Sequence, residues 1–262
     1  MSRVSRRAVL LAAGLALILA LPASVLATHS WGGYHWARTA NPFTLKLGNN
    51  VTSEWDVYLG TTSSDWSAST VLDTTIVAAG SRSAKLCNAI TGTVQVCNAK
   101  YGNNGWLGLA QIWAFGTHIT KGTVKVNDTY FASGTYNTPA WRNLVMCQEV
   151  GHTLGLDHQD TDFNNTNLNT CMDYTNDPST NQHPNAHDYE ELGIIYAHLD
   201  TTTTLASAAT AAGGGAGTPG VANDPAAWGQ LVAVTNHGHG AWFVLDLGGG
   251  DQLPTHVLWA DR

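Results

Sequence analysis

The stretch Cys147-Gln148-Glu149-Val150-Gly151-His152-Thr153-Leu154-Gly155-Leu156-Asp157-His158 constrains this chain more than any other. Upstream, Thr138 and Pro139 form an N-cap and first-turn pair. Together with a stop at Gly155 they predict a helix through Trp141, Leu144, Val145, Gln148 and His152. On that helix Gln148 and His152 stand at i and i+4, so both side chains approach one point. Glu149 is adjacent and reaches a water held there. Gly155 lets the chain turn sharply where a side chain would obstruct it, and His158 then swings back toward the same point. Three protein ligands, an open position and a carboxylate to take a proton are what a hydrolytic zinc site needs.

The rest of the chain sets the compartment. Residues 1–27 carry Arg3, Arg6 and Arg7, an apolar run from Ala8 to Leu21, Pro22 and the small-residue site Val25-Leu26-Ala27. That is the layout of a secretory signal peptide. Ser5-Arg6-Arg7-Ala8-Val9-Leu10 also resembles a twin-arginine export signal. The competing reading is an uncleaved anchor, since Ala8 to Ala27 just spans a bilayer. Cleavage would take three of the 12 Lys and Arg with it. Nine would remain against 19 Asp and Glu, so net charge moves from −7 to −10. That sign argues against a nucleic-acid partner, which calls for a basic face, and against an anionic membrane surface. No later run reaches the roughly 18 apolar residues of a membrane span, and a secreted monomer is expected. Cys87, Cys97, Cys147 and Cys171 form an even set, which in an exported chain reads as two disulfides with three pairings open.

Four segments follow. Residues 1–27 are the signal peptide and 28–200 one folded domain. Residues 201–220, with Thr201-Thr202-Thr203-Thr204, Gly213-Gly214-Gly215 and Pro219-Gly220, form a flexible linker. Residues 221–262 form a short β-rich tail, with strands expected at Leu231–Val234, Trp242–Leu247 and His256–Trp259. Forty residues build little core alone, so the tail is a small module or a flap on the domain. Within the domain, strands are expected at Phe43–Leu47, Val71–Ala78, Thr93–Cys97, Trp106–Ala114 and Thr123–Val126. Ser53–Trp66 reads as a helix with a Ser53/Asp56 capping box, and Ala186–His198 as a last helix. Strands first and then helices make the class α+β.

Taken together, these residues resemble the metzincin zinc endopeptidases, which carry His-Glu-x-x-His-x-x-Gly-x-x-His followed by a Met-turn. The match covers Glu149, His152, Gly155 and His158. Cys171-Met172-Asp173-Tyr174 resembles the Met-turn, and the final helix with His187-Asp188-Tyr189 resembles the closing helix of the matrixin-like branch. The resemblance spans about residues 28–200. It implies a twisted mixed β-sheet, an active-site helix and a C-terminal helix. It further implies zinc as cofactor and a protein or peptide as substrate. Glu149 would be the general base, and Trp106-Leu107-Gly108-Leu109-Ala110 the edge strand that aligns substrate. It also places Cys171 beneath the helix carrying Cys147. The favoured pairing is therefore Cys147 with Cys171, and Cys87 with Cys97 across the short loop at Thr91-Gly92. Because Trp31 and Trp36 read as part of the domain, latency through a cysteine-bearing N-terminal pro-segment is not expected.

The chain departs from the family at its first ligand, where Gln148 replaces histidine. An amide oxygen is a weaker zinc ligand than imidazole. Three readings stay open. Gln148 coordinates zinc with His152 and His158; another side chain completes the site, Tyr174 two residues after Met172 being the best placed; or the scaffold is an inactive pseudopeptidase serving as an exported binding module. If Tyr174 joins the site it would also stabilise an oxyanion. His183, His187, His237, His239 and His256 read mostly as surface residues, with one a possible substitute ligand. A di-iron reading of Glu149-x-x-His152 lacks the second such motif it requires. Trp31, Trp36, Trp55, Trp66 and Trp141 read as core or surface anchors. Asp160, Asp162, Asp173 and Asp177 lack a calcium-loop pattern.

Overall fold

Nine strands among the described residues, most of them with buried positions, pair into one wide sheet. The computed structural model describes residues 28–132, 134–207, 223–235 and 238–260. The expected leader and most of the expected linker lie outside them. The strands are β1 (His35–Trp36), β2 (Phe43–Asn50), β3 (Leu72–Ala78), β4 (Thr93–Ala99), β5 (Trp106–Phe115), β6 (His118–Asn127), β7 (Gln230–Val234), β8 (Gly240–Gly248) and β9 (Asp251–Trp259). The helices are α1 (Ser53–Trp66), α2 (Asp128–Phe131), α3 (Pro139–Thr153) and α4 (Ala186–Ile195). The class is α+β, with a mixed sheet.

Sheet order is β3-β2-β4-β6-β5-β9-β8-β7, with β1 beside β6. The half from β3 to β6 is parallel, and everything from β5 to β7 is antiparallel. Parallel pairing needs long crossovers; α1 makes the connection between β2 and β3 and packs against α3. The sheet, α1 and α3 enclose a core that includes Trp36, Trp55 and Trp66, all fully buried. Each indole N–H finds an acceptor: Thr153 O for Trp36, Asp128 Oδ1 for Trp55 and Cys147 O for Trp66. These three tryptophans are therefore core, with their polar atoms satisfied. The disulfides are Cys87–Cys97 and Cys147–Cys171, the favoured pairing, and they fit an oxidising compartment. No described helix is long and apolar enough to cross a membrane.

The tail's strands extend the domain's own sheet. Trp228, Ala241 and Val257 pack with Trp106 and Leu109, and Trp242 and Leu258 join the main core. Buried Lys125 on β6 donates to Asn223 Oδ1 at 3.0 Å, and Trp106 Nε1 donates to Asn223 O at 3.3 Å, fixing where the tail enters the sheet.

Four local expectations are corrected. The strand Trp106–Ala110 is not an edge, because β6 pairs one side of β5 and β9 the other. Nothing local in the sequence announces a partner arriving from residue 251 onward. The N-cap of α1 is Thr52 and makes no side-chain cap bond, so the Ser53/Asp56 box is absent; the Thr52 N–H instead donates to Asn98 Oδ1. Helix α4 ends at Ile195, where Tyr196 leaves helical geometry and its hydroxyl donates to Leu154 O. Finally, β9 begins at Asp251, five residues before the expected start, because Leu253 and Thr255 already pair with β8.

Candidate metal centre

Helix α3 opens as its sequence dictates, with the Thr138 hydroxyl accepting from Trp141 N at 3.2 Å and Pro139 at the first position. It is buried all round from Leu144 to Thr153, so its polar side chains need partners inside the protein. After the helix Gly155 adopts φ +98°, a conformation L side chains rarely take, and a Cβ there would collide with the Tyr34 carbonyl oxygen. The reversal brings His158 to a ring-centroid distance of 4.6 Å from His152. From the other side, the turn at Cys171–Tyr174 is fastened to the helix by the Cys147–Cys171 disulfide. The Gln148 Nε2 donates to Cys171 O at 2.9 Å and adds to that attachment.

Of the expected site residues, Gln148, Glu149, His152, His158 and Tyr174 are all buried around α3. The addition is His256 of β9. Its ring lies 3.9 Å from that of His152 and 5.0 Å from that of His158. His152, His158 and His256 each present one ligand atom, all within 4.8 Å of one another. His256 Nδ1 lies 3.2 Å from Glu149 Oε2, and the Tyr174 hydroxyl lies 3.0 Å from His256 Nε2. Gly240 on the neighbouring β8 permits this, since any Cβ there would overlap the Tyr174 hydroxyl. Stacking of His158 on Tyr174 at 3.8 Å closes the group.

Proton positions follow from the acceptors. His152 Nδ1 is 2.9 Å from Leu156 O, a carbonyl that only accepts, so Nδ1 carries the hydrogen and Nε2 keeps its lone pair. His158 Nδ1 faces Asp157 Oδ1 at 3.3 Å, with the same result. Donation from His256 Nδ1 to Glu149 likewise leaves a lone pair on His256 Nε2, the atom facing the Tyr174 hydroxyl. Burial, reinforced by neighbouring imidazoles, holds the pKa values of His152 and His158 well below their usual range. Both rings are therefore neutral. Burial pushes Glu149 up, with His256 opposing it, and pushes the Tyr174 phenol well above 10.

Gln148 Oε1, Glu149 Oε1, His152 Nε2 and His158 Nε2 are buried without a hydrogen-bond partner among the described residues. Leaving such an atom unpaired costs about 1–3 kcal/mol, so a concentration of four calls for an occupant. Neutral imidazoles whose other nitrogen is held by a carbonyl or carboxylate are the usual zinc ligands, and the donor set fits that ion. In the sequence His256 was one histidine among several. Its signal was a polar residue inside the strand-forming run Leu253–Trp259 of a chain one ligand short. The others lie apart: His183 pairs with Asp65, His187 stacks on His29, and His239 packs against Phe163. His237 lies outside the described residues. A scan of known protein families and a search of curated proteins find no match to this chain.

Proposed function

We propose that this chain is a secreted, zinc-dependent endopeptidase of metzincin-like type, exported through residues 1–27. Its metal is held by His152, His158 and His256, with the tail histidine taking the ligand position that Gln148 vacates. One observation carries the reading: two buried imidazole nitrogens with free lone pairs stand beside a third imidazole and a buried carboxylate. Zinc in such a site supplies Lewis acidity and a water acidified toward a pKa of about 7.

The chain's own groups do the rest. Glu149 is held by His256 through Oε2, which leaves Oε1 to accept a proton from water and pass it to the leaving amine. Its raised pKa suits that double duty. Tyr174 keeps its proton because of burial; its hydroxyl, which faces His256 Nε2, would be released to donate to a developing oxyanion when that nitrogen takes up a metal. The Cys147–Cys171 bridge and the Gln148–Cys171 hydrogen bond keep Tyr174 in register with the helix.

A second reading, an inactive exported module that holds zinc, is favoured by a different observation. The β5 edge is filled by β9, and beside Gln148 and Tyr174 lies a cavity of only about 10 Å³. That is room for about one water and not for a peptide. Zinc content of the purified protein together with casein cleavage, with Glu149→Ala as control, separates the two. Zinc with Glu149-dependent cleavage is the expected result. Zinc without cleavage selects the module, and absence of both overturns the metal reading.

A further inference from the structure

A second group of metal-ligating side chains lies outside this centre, at the junction of β1, β6 and the segment after α4. His35, His198 and Asp200 present ligand atoms within 4.8 Å of one another. His35 Nε2 is 3.2 Å from His198 Nε2. Asp200 Oδ1 is 3.8 Å from His35 Nε2, 3.7 Å from His198 Nε2 and 3.2 Å from His118 Nε2. A tetrahedral zinc with bonds of about 2.0–2.1 Å keeps its ligands about 3.3–3.4 Å apart, close to these separations.

The surroundings orient the group for a cation. His35 Nδ1 is 2.9 Å from Gly33 O, so its proton sits there and the Nε2 lone pair faces His198 and Asp200. The other Asp200 oxygen, Oδ2, accepts from Arg38 N at 3.1 Å and Arg38 Nη1 at 2.9 Å, which turns Oδ1 toward the imidazoles. The parallel register of β1 on β6 sets His35 opposite His118. The His35 Nε2 lone pair, His198 Nε2 and Asp200 Oδ1 thus face one point, and two imidazoles with one carboxylate suit zinc.

We propose that His35, His198 and Asp200 form a structural zinc site open to water at its remaining position, with His118 holding Asp200 in place through its 3.2 Å contact to Oδ1. It clasps the elements that finish the central helix. Strand β1 carries Trp36, whose indole donates to Thr153 O, and the segment after α4 begins with Tyr196, whose hydroxyl donates to Leu154 O. Zinc at the clasp therefore holds the C-terminal end of α3, next to His152. The site does not depend on the catalytic reading.

The test is zinc stoichiometry of the purified protein by elemental analysis, with thermal melts in zinc. The half-exposed His118 and His198 are replaced together (His118→Ala, His198→Ala), and His152→Ala is made separately. Two zinc ions per chain are expected, with each variant retaining one. Zinc at about a hundredfold above Kd should raise the Tm of His152→Ala by roughly 5–10 °C. Were the central reading to fail, the wild type would hold one zinc, lost in the double variant and kept in His152→Ala. A double variant that keeps the wild-type zinc count and melting response overturns the clasp.

Discussion

The two histidine clusters differ in what closes them. The central one is sealed, with Glu149, His152 and His256 fully buried and carboxylate Glu149 beside the imidazoles. The peripheral one is open to solvent at His118 and His198 and includes its carboxylate, Asp200, among the ligand atoms. A carboxylate beside a cluster is free to move protons, whereas one within it is consumed in holding the ion. The same residue types, set at different depth and around a differently tethered acid, thus point to chemistry in one place and fastening in the other.

The comparison breaks most sharply at the acids. Glu149→Ala should lower casein cleavage by about 10²–10⁴-fold while zinc stays at both sites. Retained cleavage would remove Glu149 from its role. At the ligands, His256→Ala should weaken central zinc by more than the roughly 100-fold typical of an outer-shell change. Gln148→Ala should stay within about tenfold, as measured by chelator competition; the reverse ranking would return the third position to residue 148.

The two sites also differ in bracing, since a disulfide lies beneath the central one. Replacing Cys147 and Cys171 together with serine should lower stability by about 3 kcal/mol for a loop of this length. Urea titration would show it, and peripheral zinc should survive.

The smallest effect concerns the tail's seat. Burial lowers the Lys125 pKa to about 8, so between about pH 8 and 10.5 the unfolded chain binds more protons than the folded one. Stability from this group therefore rises with pH across that window, and its penalty is complete below pH 8. Lys125→Met should flatten that slope in melts at pH 7, 9 and 10.5. An unchanged slope would show that Lys125 keeps an ordinary pKa.

Legibility followed distance along the chain. The helix opened by Thr138 and Pro139 could be read because capping and i, i+4 geometry are local, and α3 runs from Pro139 to Thr153 as those signals require. The strand segments of the tail were legible for the same reason, from short apolar runs between glycine turns. Their destination was not, since a strand pattern names no partner. Trp106–Ala110 accordingly read as an edge although β9 covers it. Likewise the Ser53 box fit a local pattern but lost to a long-range bond between Thr52 and Asn98.

By itself, the sequence determined the α+β class, the helix bearing Glu149 and His152, the return of His158 at Gly155, and cysteines for two bridges. Only the tertiary structure decided that His256 meets Glu149 across 107 residues and that β9 covers β5. It alone also brought His35, His118 and His198 together around Asp200. The physical reason is periodicity. Helical and strand spacing is written into neighbouring residues, whereas contacts made by sheet pairing depend on which strands find each other, and an isolated histidine carries no mark of the partner it will meet.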